Sequence, residues 1–341
     1  MEDAADRPIL AIDLGGTQIR VAIVRPDLTL AHRRAEPTDD EQGVDAVLER
    51  ICALAAEVRD QARADGLQDP VGAGISSPGP LDPWRGIVIA PPNLAGWRDV
   101  PLADRVEQAV GLPTFLERDT NVAVMAEWRH GSGQGAGNVI YITVSTGIGG
   151  GVVAEGRPII GPDGTAGEVG HVTVEIDGPL CGDGKPGHAE AIGSGTAIAR
   201  EGRALLERGA SPTLAALVHD PDELGAREVA EAADRGDAGC QAIMERAHVA
   251  VGALCASLIN VLNPEVIVIG GSIAENRPLL WEITRREIDR RAFEVPARRC
   301  RLERPRFGDD VSLIGLLPIV KERIDDPAFR RATSVRQEER A

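Results

Sequence analysis

Ile9-Leu10-Ala11-Ile12-Asp13-Leu14-Gly15-Gly16-Thr17-Gln18-Ile19-Arg20-Val21-Ala22-Ile23-Val24 reads as two short apolar runs folded about a glycine turn, the sequence signal of a β-hairpin. The first run ends on a carboxylate, Asp13. The same arrangement returns downstream: residues 138–144 form an apolar run, residues 145–151 a glycine turn, and Val152-Val153-Ala154 a returning strand. A third apolar run, Glu265-Val266-Ile267-Val268-Ile269, ends at Gly270-Gly271. The chain is therefore built on a duplicated β-turn-β unit with a further strand-to-glycine junction.

Between these runs the period changes. Val47, Ile51, Leu54, Ala55 and Val58 recur at helical spacing between residues 44 and 64 and predict an amphipathic helix lying on a sheet. A long helix is expected over residues 239–261, stopped by Asn263-Pro264, and a last helix over residues 316–323. Val71 to Ser76 is a strand candidate leading into the turn Ser77-Pro78-Gly79-Pro80, with Asn93 in the loop that follows.

A glycine turn at a strand end lets bare backbone N–H groups approach a phosphate. One such turn could simply close a hairpin; three in the same strand context point to a bound nucleotide. No phosphate-binding loop of the Gly-x-x-x-x-Gly-Lys-Ser/Thr type is present, because Gly184-Lys185 is followed by Pro186.

Composition narrows the partners. A chain of 341 residues is expected to form two domains, with a core of Ala, Val, Leu and Ile, since the apolar fraction is 43% and the aromatic fraction 3%. A formal charge of -16 argues against a nucleic-acid or anionic-membrane surface. Five scattered cysteines suit a reducing cytoplasm, and neither a signal peptide nor a run near the roughly 18 apolar residues of a membrane span is expected. Residues 326–341 read as a charged, frayed tail.

Asp13-Leu14-Gly15-Gly16-Thr17, Ser145-Thr146-Gly147-Ile148-Gly149-Gly150-Gly151 and Ile269-Gly270-Gly271 resemble, in order, the phosphate 1, phosphate 2 and adenosine motifs of the actin-like ATPase and sugar kinase superfamily. Ala166-Gly167-Glu168-Val169-Gly170-His171, followed by Cys181-Gly182-Asp183-Gly184-Lys185-Pro186-Gly187-His188-Ala189-Glu190, is similar to the signature of the ROK family of glucokinase-like sugar kinases. The similarity extends over residues 9–322. It implies an α/β fold of the two-lobed actin-like (ribonuclease H-like) kind, with a mixed sheet in each lobe and the active site in the cleft. Residues 1–117 would make the small lobe, joined by a C-terminal helix about 312–325, and residues 118–311 the large lobe.

The resemblance also implies the chemistry. A sugar hydroxyl attacks the γ-phosphate of ATP, and Asp119 matches the family carboxylate that takes the proton; the competing reading is that Asp119 caps a helix over residues 120–129. Asn93, Glu168, His171 and Glu190 match the residues that read sugar hydroxyls. Gly15, Gly16, Thr17, Thr146, Gly147, Gly149, Gly270 and Gly271 match the nucleotide contacts, and Asp13 the carboxylate that orients Mg²⁺ through water.

Two departures from the family pattern stand out. Arg118 replaces an Asn whose amide binds a sugar hydroxyl, so the accepted sugar could differ. The family's zinc set of one His and three Cys maps onto His171, Cys181, Asp183 and His188, which can still hold zinc, in a structural role.

The implied partners are a small-molecule sugar and ATP, in a homo-oligomer (dimer or tetramer), with no nucleic acid and no membrane. Glucose is the leading substrate; fructose, N-acetylmannosamine, N-acetylglucosamine and a polyphosphate donor stay open. One rival is a ROK transcriptional regulator, disfavoured because the first strand begins by Ile9 without a preceding winged helix. The other is a sugar-binding protein without catalysis, which Arg118 and the reduced cysteine set keep open.

Overall fold

The computed structural model describes residues 6–218 and 220–329. They fall into two compact units: residues 6–135, 158–166 and 306–329 in the first, and residues 136–157 and 167–305 in the second.

The first unit begins with β1 (Ile9–Leu14), β2 (Gln18–Val24) and β3 (Leu30–Pro37). Every residue of β1 is buried, as an apolar run at the centre of a sheet must be. Helix α1 (Val44–Ala64) buries the predicted stripe of Val47, Ile51, Leu54, Ala55 and Val58 against these strands. There follow β4 (Ala73–Ser77), a small ribbon of β5 (Leu81–Asp82) and β6 (Ile87–Val88), helix α2 (Leu102–Val110), β7 (Thr114–Arg118) and helix α3 (Asp119–His130). The sheet runs β3-β2-β1-β4-β7, antiparallel through its hairpin and parallel from β1 onward.

The second unit repeats this plan. Its hairpin is β8 (Val139–Val144) and β9 (Ile148–Ala154), with β10 (Arg157–Pro158) at the edge where the chain leaves the unit. Helices α4 (Glu190–Gly193), α5 (Gly195–Glu207), α6 (Pro212–Leu217), α7 (Ala226–Asp234) and α8 (Ala238–Leu262) lead to β11 (Val266–Gly270). After it come α9 (Ser272–Asn276), α10 (Pro278–Arg291), α11 (Glu294–Arg299) and β12 (Arg301–Glu303). The sheet order β10-β9-β8-β11-β12 again joins an antiparallel hairpin to parallel strands, so the duplicated unit read from the sequence is a duplicated mixed sheet.

Finally α12 (Val311–Ile314) and α13 (Leu316–Arg323) pack in the first unit against α3, β1 and β4. Those contacts explain why α3 belongs to the first unit, although the sequence division placed residues 118–130 with the other lobe. Packing continues past the expected start of the tail: the half-buried Phe329 ring lies edge-on to Phe115 with centroids 6.4 Å apart, under the guanidinium of Arg323. Residues 330–341 of that tail lie outside the described residues.

Helix α8 corrects one expectation. Its 25 residues are long and apolar enough to span a membrane, but 67% of the apolar window is buried within the protein, as befits the core helix of the second unit. Asp237 caps its start by accepting from the Cys240 N–H, and Asn263, in the left-handed region, ends it as the sequence predicted.

Within α8, His248 is 2% exposed, and neither ring nitrogen has a hydrogen-bond partner among the described residues. Burial, aided by the nearby Arg277 cation, pushes its pKa down to about 4. The folded protein therefore holds the neutral ring while the unfolded chain gains a proton near pH 6.5. The resulting stability is complete above about pH 6.5 and lost as pH falls toward about 4, by up to about 3 kcal/mol. Urea unfolding across this pH range should show that loss, and His248→Leu should flatten it.

Candidate active site

In the first unit the β1–β2 turn is held from behind. Thr38, fully buried, donates its N–H to the Thr17 carbonyl at 3.0 Å and its hydroxyl to the Gly15 carbonyl at 2.7 Å. Arg50 in turn donates to the Thr38 carbonyl at 2.5 Å. The turn's carbonyls are thus engaged from the protein side, as an amide-lined anion cradle requires.

Asn93 lies at the same turn: a Cβ placed on Gly16 would stand 3.2 Å from the Asn93 carbonyl oxygen. Its loop is pinned by the buried side chains of Leu94 and Trp97 and by the Ala95 N–H donating to Asp40, while Asn93 itself is exposed. Asp13, at the end of β1, is paired across the hairpin with Arg20, whose Nε and Nη2 donate to Oδ2 at 2.9 and 2.6 Å. Arg20 also donates to the Asp309 carbonyl.

Asp119 is the first residue of α3, and its Oδ1 accepts the Thr120 N–H at 2.7 Å. The first turn of a helix is a favourable place for a negative charge. The N-cap position belongs to Arg118, so Asp119 is not the helix cap of the competing reading. The Arg118 side chain is buried, and its Nη2 donates to the Ala166 carbonyl at 2.5 Å and to Asn121 Oδ1 at 3.3 Å. Glu117 Oε1 accepts from the Arg118 N–H and from Asn121 Nδ2, and Oε2 pairs with Arg323.

In the second unit three chain segments meet at the β8–β9 turn. The Gly195 and Thr196 N–H groups, opening α5, donate to the carbonyls of Ser145 and Thr146 at 2.8 and 3.1 Å. The Ser145 and Ser272 hydroxyls are 3.0 Å apart. Gly271 has φ +92, and a Cβ there would stand 2.6 Å from the Val144 carbonyl oxygen, so no other residue fits between β11 and the turn. Gly270 closes β11 beside Tyr141, and Gly149 lies early in β9. The turn also touches Glu190, which opens α4: Oε2 accepts the Ile148 N–H at 2.8 Å, and Oε1 accepts from Cys181 Sγ at 3.5 Å.

His171, Cys181, Asp183 and His188 come together in this unit, with one ligand atom of each within 4.8 Å of all the others. Nδ1 of both His171 and His188 is buried without a hydrogen-bond partner among the described residues, at 3.8 Å from Glu168 Oε2 and 3.5 Å from Asp183 Oδ1 respectively. The Lys185 N–H holds the Asp183 carboxyl below its ordinary range. In tetrahedral zinc sites, with bonds of about 2.0–2.3 Å, donor atoms stand roughly 3.3–3.8 Å apart, so this cluster suits zinc after a small side-chain contraction.

With this geometry in place, the comparisons are decisive as to family: the ROK family model matches residues 9–323. The chain belongs to the ROK family. The glucokinase of Thermotoga maritima is 34% identical over 93% of this chain and 98% of its own. The ROK hexokinase structure from Thermus thermophilus matches at 33% identity with a TM-score of 0.79, covering 94% of this chain and 99% of that one. A ROK glucokinase from Streptomyces griseus, solved with glucose and AMPPNP, matches at 30% identity with a TM-score of 0.74, over 92% and 99% of the two chains. The fold is thus the actin-like ATPase fold of ROK sugar kinases, α/β with a mixed sheet in each unit.

Several supporting residues escaped the sequence reading. Arg20 was legible in principle, because a four-residue turn at residues 15–18 sets it opposite Asp13. Thr38, Glu117, Thr196, Ser272 and Arg323 act on partners set by tertiary packing, which no local pattern announces.

Proposed function

We propose that this chain is an ATP-dependent hexose kinase that phosphorylates glucose at its 6-hydroxyl, with Asp119 as the base. The observation that carries this is a carboxylate on the first residue of α3, oriented by the Thr120 N–H, in a chain that aligns nearly end to end with a glucokinase. The hydroxyl oxygen bonds to the γ-phosphorus, the bond from that phosphorus to the bridging oxygen breaks to release ADP, and the hydroxyl proton passes to Asp119.

Asn93, Glu168, His171 and Glu190 are assigned to the sugar hydroxyls. Gly15, Gly16, Thr17, Thr146, Gly147 and Gly149 are assigned to the phosphates, and Gly270 and Gly271 to the adenosine. The capture of turn carbonyls by Thr38, Gly195 and Thr196 supports the phosphate assignment. Asp13, shared with Arg20, is assigned to a water of the ATP-bound Mg²⁺. Arg118 is assigned a supporting part: its guanidinium ties the Ala166 carbonyl to the start of α3.

An ADP-release assay over glucose, fructose, N-acetylmannosamine and N-acetylglucosamine, with ATP or polyphosphate as donor, tests this reading. Glucose with ATP should give the highest kcat/KM. Sugar binding without turnover on any member of the panel would leave the non-catalytic sugar-binding alternative standing.

Zinc at His171, Cys181, Asp183 and His188 would fix the loop that carries His188 and Cys181; this part is structural, not catalytic. Elemental analysis of protein purified with zinc should find about one equivalent, lost in Cys181→Ser; a metal-free wild type would dismiss the site. A cytoplasmic homo-oligomer, dimer or tetramer, without nucleic-acid or membrane partners, completes the proposal and is open to sedimentation velocity.

A further inference from the structure

Asp13 is bound on one side only. Arg20 stands opposite it across the β1–β2 hairpin, and both Nε and Nη2 donate to the same carboxylate oxygen, Oδ2, at 2.9 and 2.6 Å. The third nitrogen, Nη1, donates to the Asp309 carbonyl at 2.6 Å, so the guanidinium is fixed from behind as well. Oδ1 of Asp13 receives no hydrogen bond among the described residues and is not sealed from solvent. The two oxygens are therefore unequal: one is spent on a cation, the other is open. The side chains of Arg20 and Asp13 are 18% and 8% exposed, so water and salt screen their attraction only weakly.

This inequality bears on a divalent cation carried in by ATP, and the inference rests on the kinase reading proposed above. One open carboxylate oxygen suits Mg²⁺, which keeps several of its waters and needs only an acceptor for one of them. A direct metal–carboxylate bond demands more. The cation would have to give up a water, which Mg²⁺ does reluctantly, in exchange for an oxyanion whose charge Arg20 already balances. Nor can the cation simply displace Arg20, because breaking a partly buried pair leaves an uncompensated charge. Without Arg20 both the balance and that penalty are gone, and Asp13 becomes an ordinary acidic ligand.

We propose that Arg20 is a positioning residue for the divalent cation of the nucleotide: by holding Oδ2 and balancing its charge, it confines Asp13 to accepting from a metal-bound water through Oδ1. Removing Arg20 turns Asp13 into a direct metal ligand and opens the site to cations that part with water more easily than Mg²⁺.

Mn²⁺ bound with AMPPNP to the full-length protein tests this without turnover. Its water ligands are counted from the EPR line broadening in H₂¹⁷O, and calorimetry gives the affinities of AMPPNP with and without Mn²⁺. Arg20→Gln should hold about one water fewer than wild type and bind Mn²⁺·AMPPNP at least about tenfold tighter, with metal-free AMPPNP changed less than about threefold. Adding Asp13→Asn to that variant should restore the wild-type count and abolish the gain. Arg20→Lys, which keeps the cation, should keep the wild-type count. Asp13→Asn alone should leave the count unchanged, because the water that Asp13 holds stays on the metal. This last variant needs no change at Arg20, so the test survives if Arg20→Gln folds poorly. A purely structural part for Arg20, as the anchor of Asp309, would alter folding stability and leave the water count alone.

The proposal is overturned if Arg20→Gln keeps the wild-type count or binds Mn²⁺·AMPPNP no tighter. It is equally overturned if the gain survives Asp13→Asn, or if Asp13→Asn alone adds a water, which would make Asp13 a direct ligand in the presence of Arg20. A wild type that binds no AMPPNP, with or without Mn²⁺, removes the kinase reading and this inference with it; binding with any of the former outcomes removes only the part given to Arg20.

Discussion

Asp119→Asn lowers kcat for hexose phosphorylation by about 10²–10⁴-fold, the range expected when a general base is removed. Sugar and nucleotide dissociation constants stay close to wild type. The substitution is chosen because an amide keeps the size of the carboxylate and an oxygen able to accept the Thr120 N–H, so α3 should start as before. What it loses is the ability to take a proton. Steady-state ADP release gives kcat, and calorimetric titration of sugar and nucleotide gives the binding terms, so a loss confined to kcat separates proton transfer from binding. A variant with wild-type kcat would remove Asp119 from the mechanism.

Arg323→Leu costs about 3–5 kcal/mol of folding stability, because it leaves a buried carboxylate without its counter-ion. Glu117 is 1% exposed, between the Arg323 guanidinium and the donors of Arg118 and Asn121. Arg323 also donates to the Leu116 carbonyl at 3.0 Å, so the same side chain fastens α13 to the end of β7. The effect should therefore reach the strand that leads directly into Asp119. Adding Glu117→Gln to the variant should recover part of the loss by removing the stranded charge. Urea unfolding of the three proteins checks both statements, and a single-variant cost under about 1 kcal/mol would place the pair among exposed ion pairs.

Much of the architecture was legible because the informative strands end in glycine. The first hairpin, β8, β11, and helices α1, α8 and α13 were read within a residue or two of their observed bounds, whereas β9 begins at Ile148, four residues before the expected returning strand, because its glycines pair in the ladder instead of forming the turn. The edge strands were not. In β3 the run Leu-Ala-His-Arg-Arg-Ala-Glu-Pro is charged and mostly exposed, which protects a sheet edge from mispairing but erases the apolar alternation that marks a strand. Helix α10 was hidden in a similar way, by arginines along Pro278–Arg291.

The candidate site divides along the same line. His171, Cys181, Asp183 and His188 fall close in sequence and meet in space, as the family resemblance implied. Glu117 and Arg323 stand 206 residues apart, and only the packed fold brings them together. The apolar length of α8 escaped the sequence reading; a core helix surrounded by its own unit needs as many apolar side chains as a helix surrounded by lipid.

The contact between Glu190 and the β8–β9 turn has an evolutionary corollary. A Cβ at position 147 would lie 2.6 Å from Glu190 Oε2, the oxygen that receives the Ile148 N–H. A lineage that places a side chain at 147 must swing the acid at 190 aside and so give up the bond to the Ile148 N–H, whereas a shorter residue at 190 leaves a glycine at 147 undisturbed.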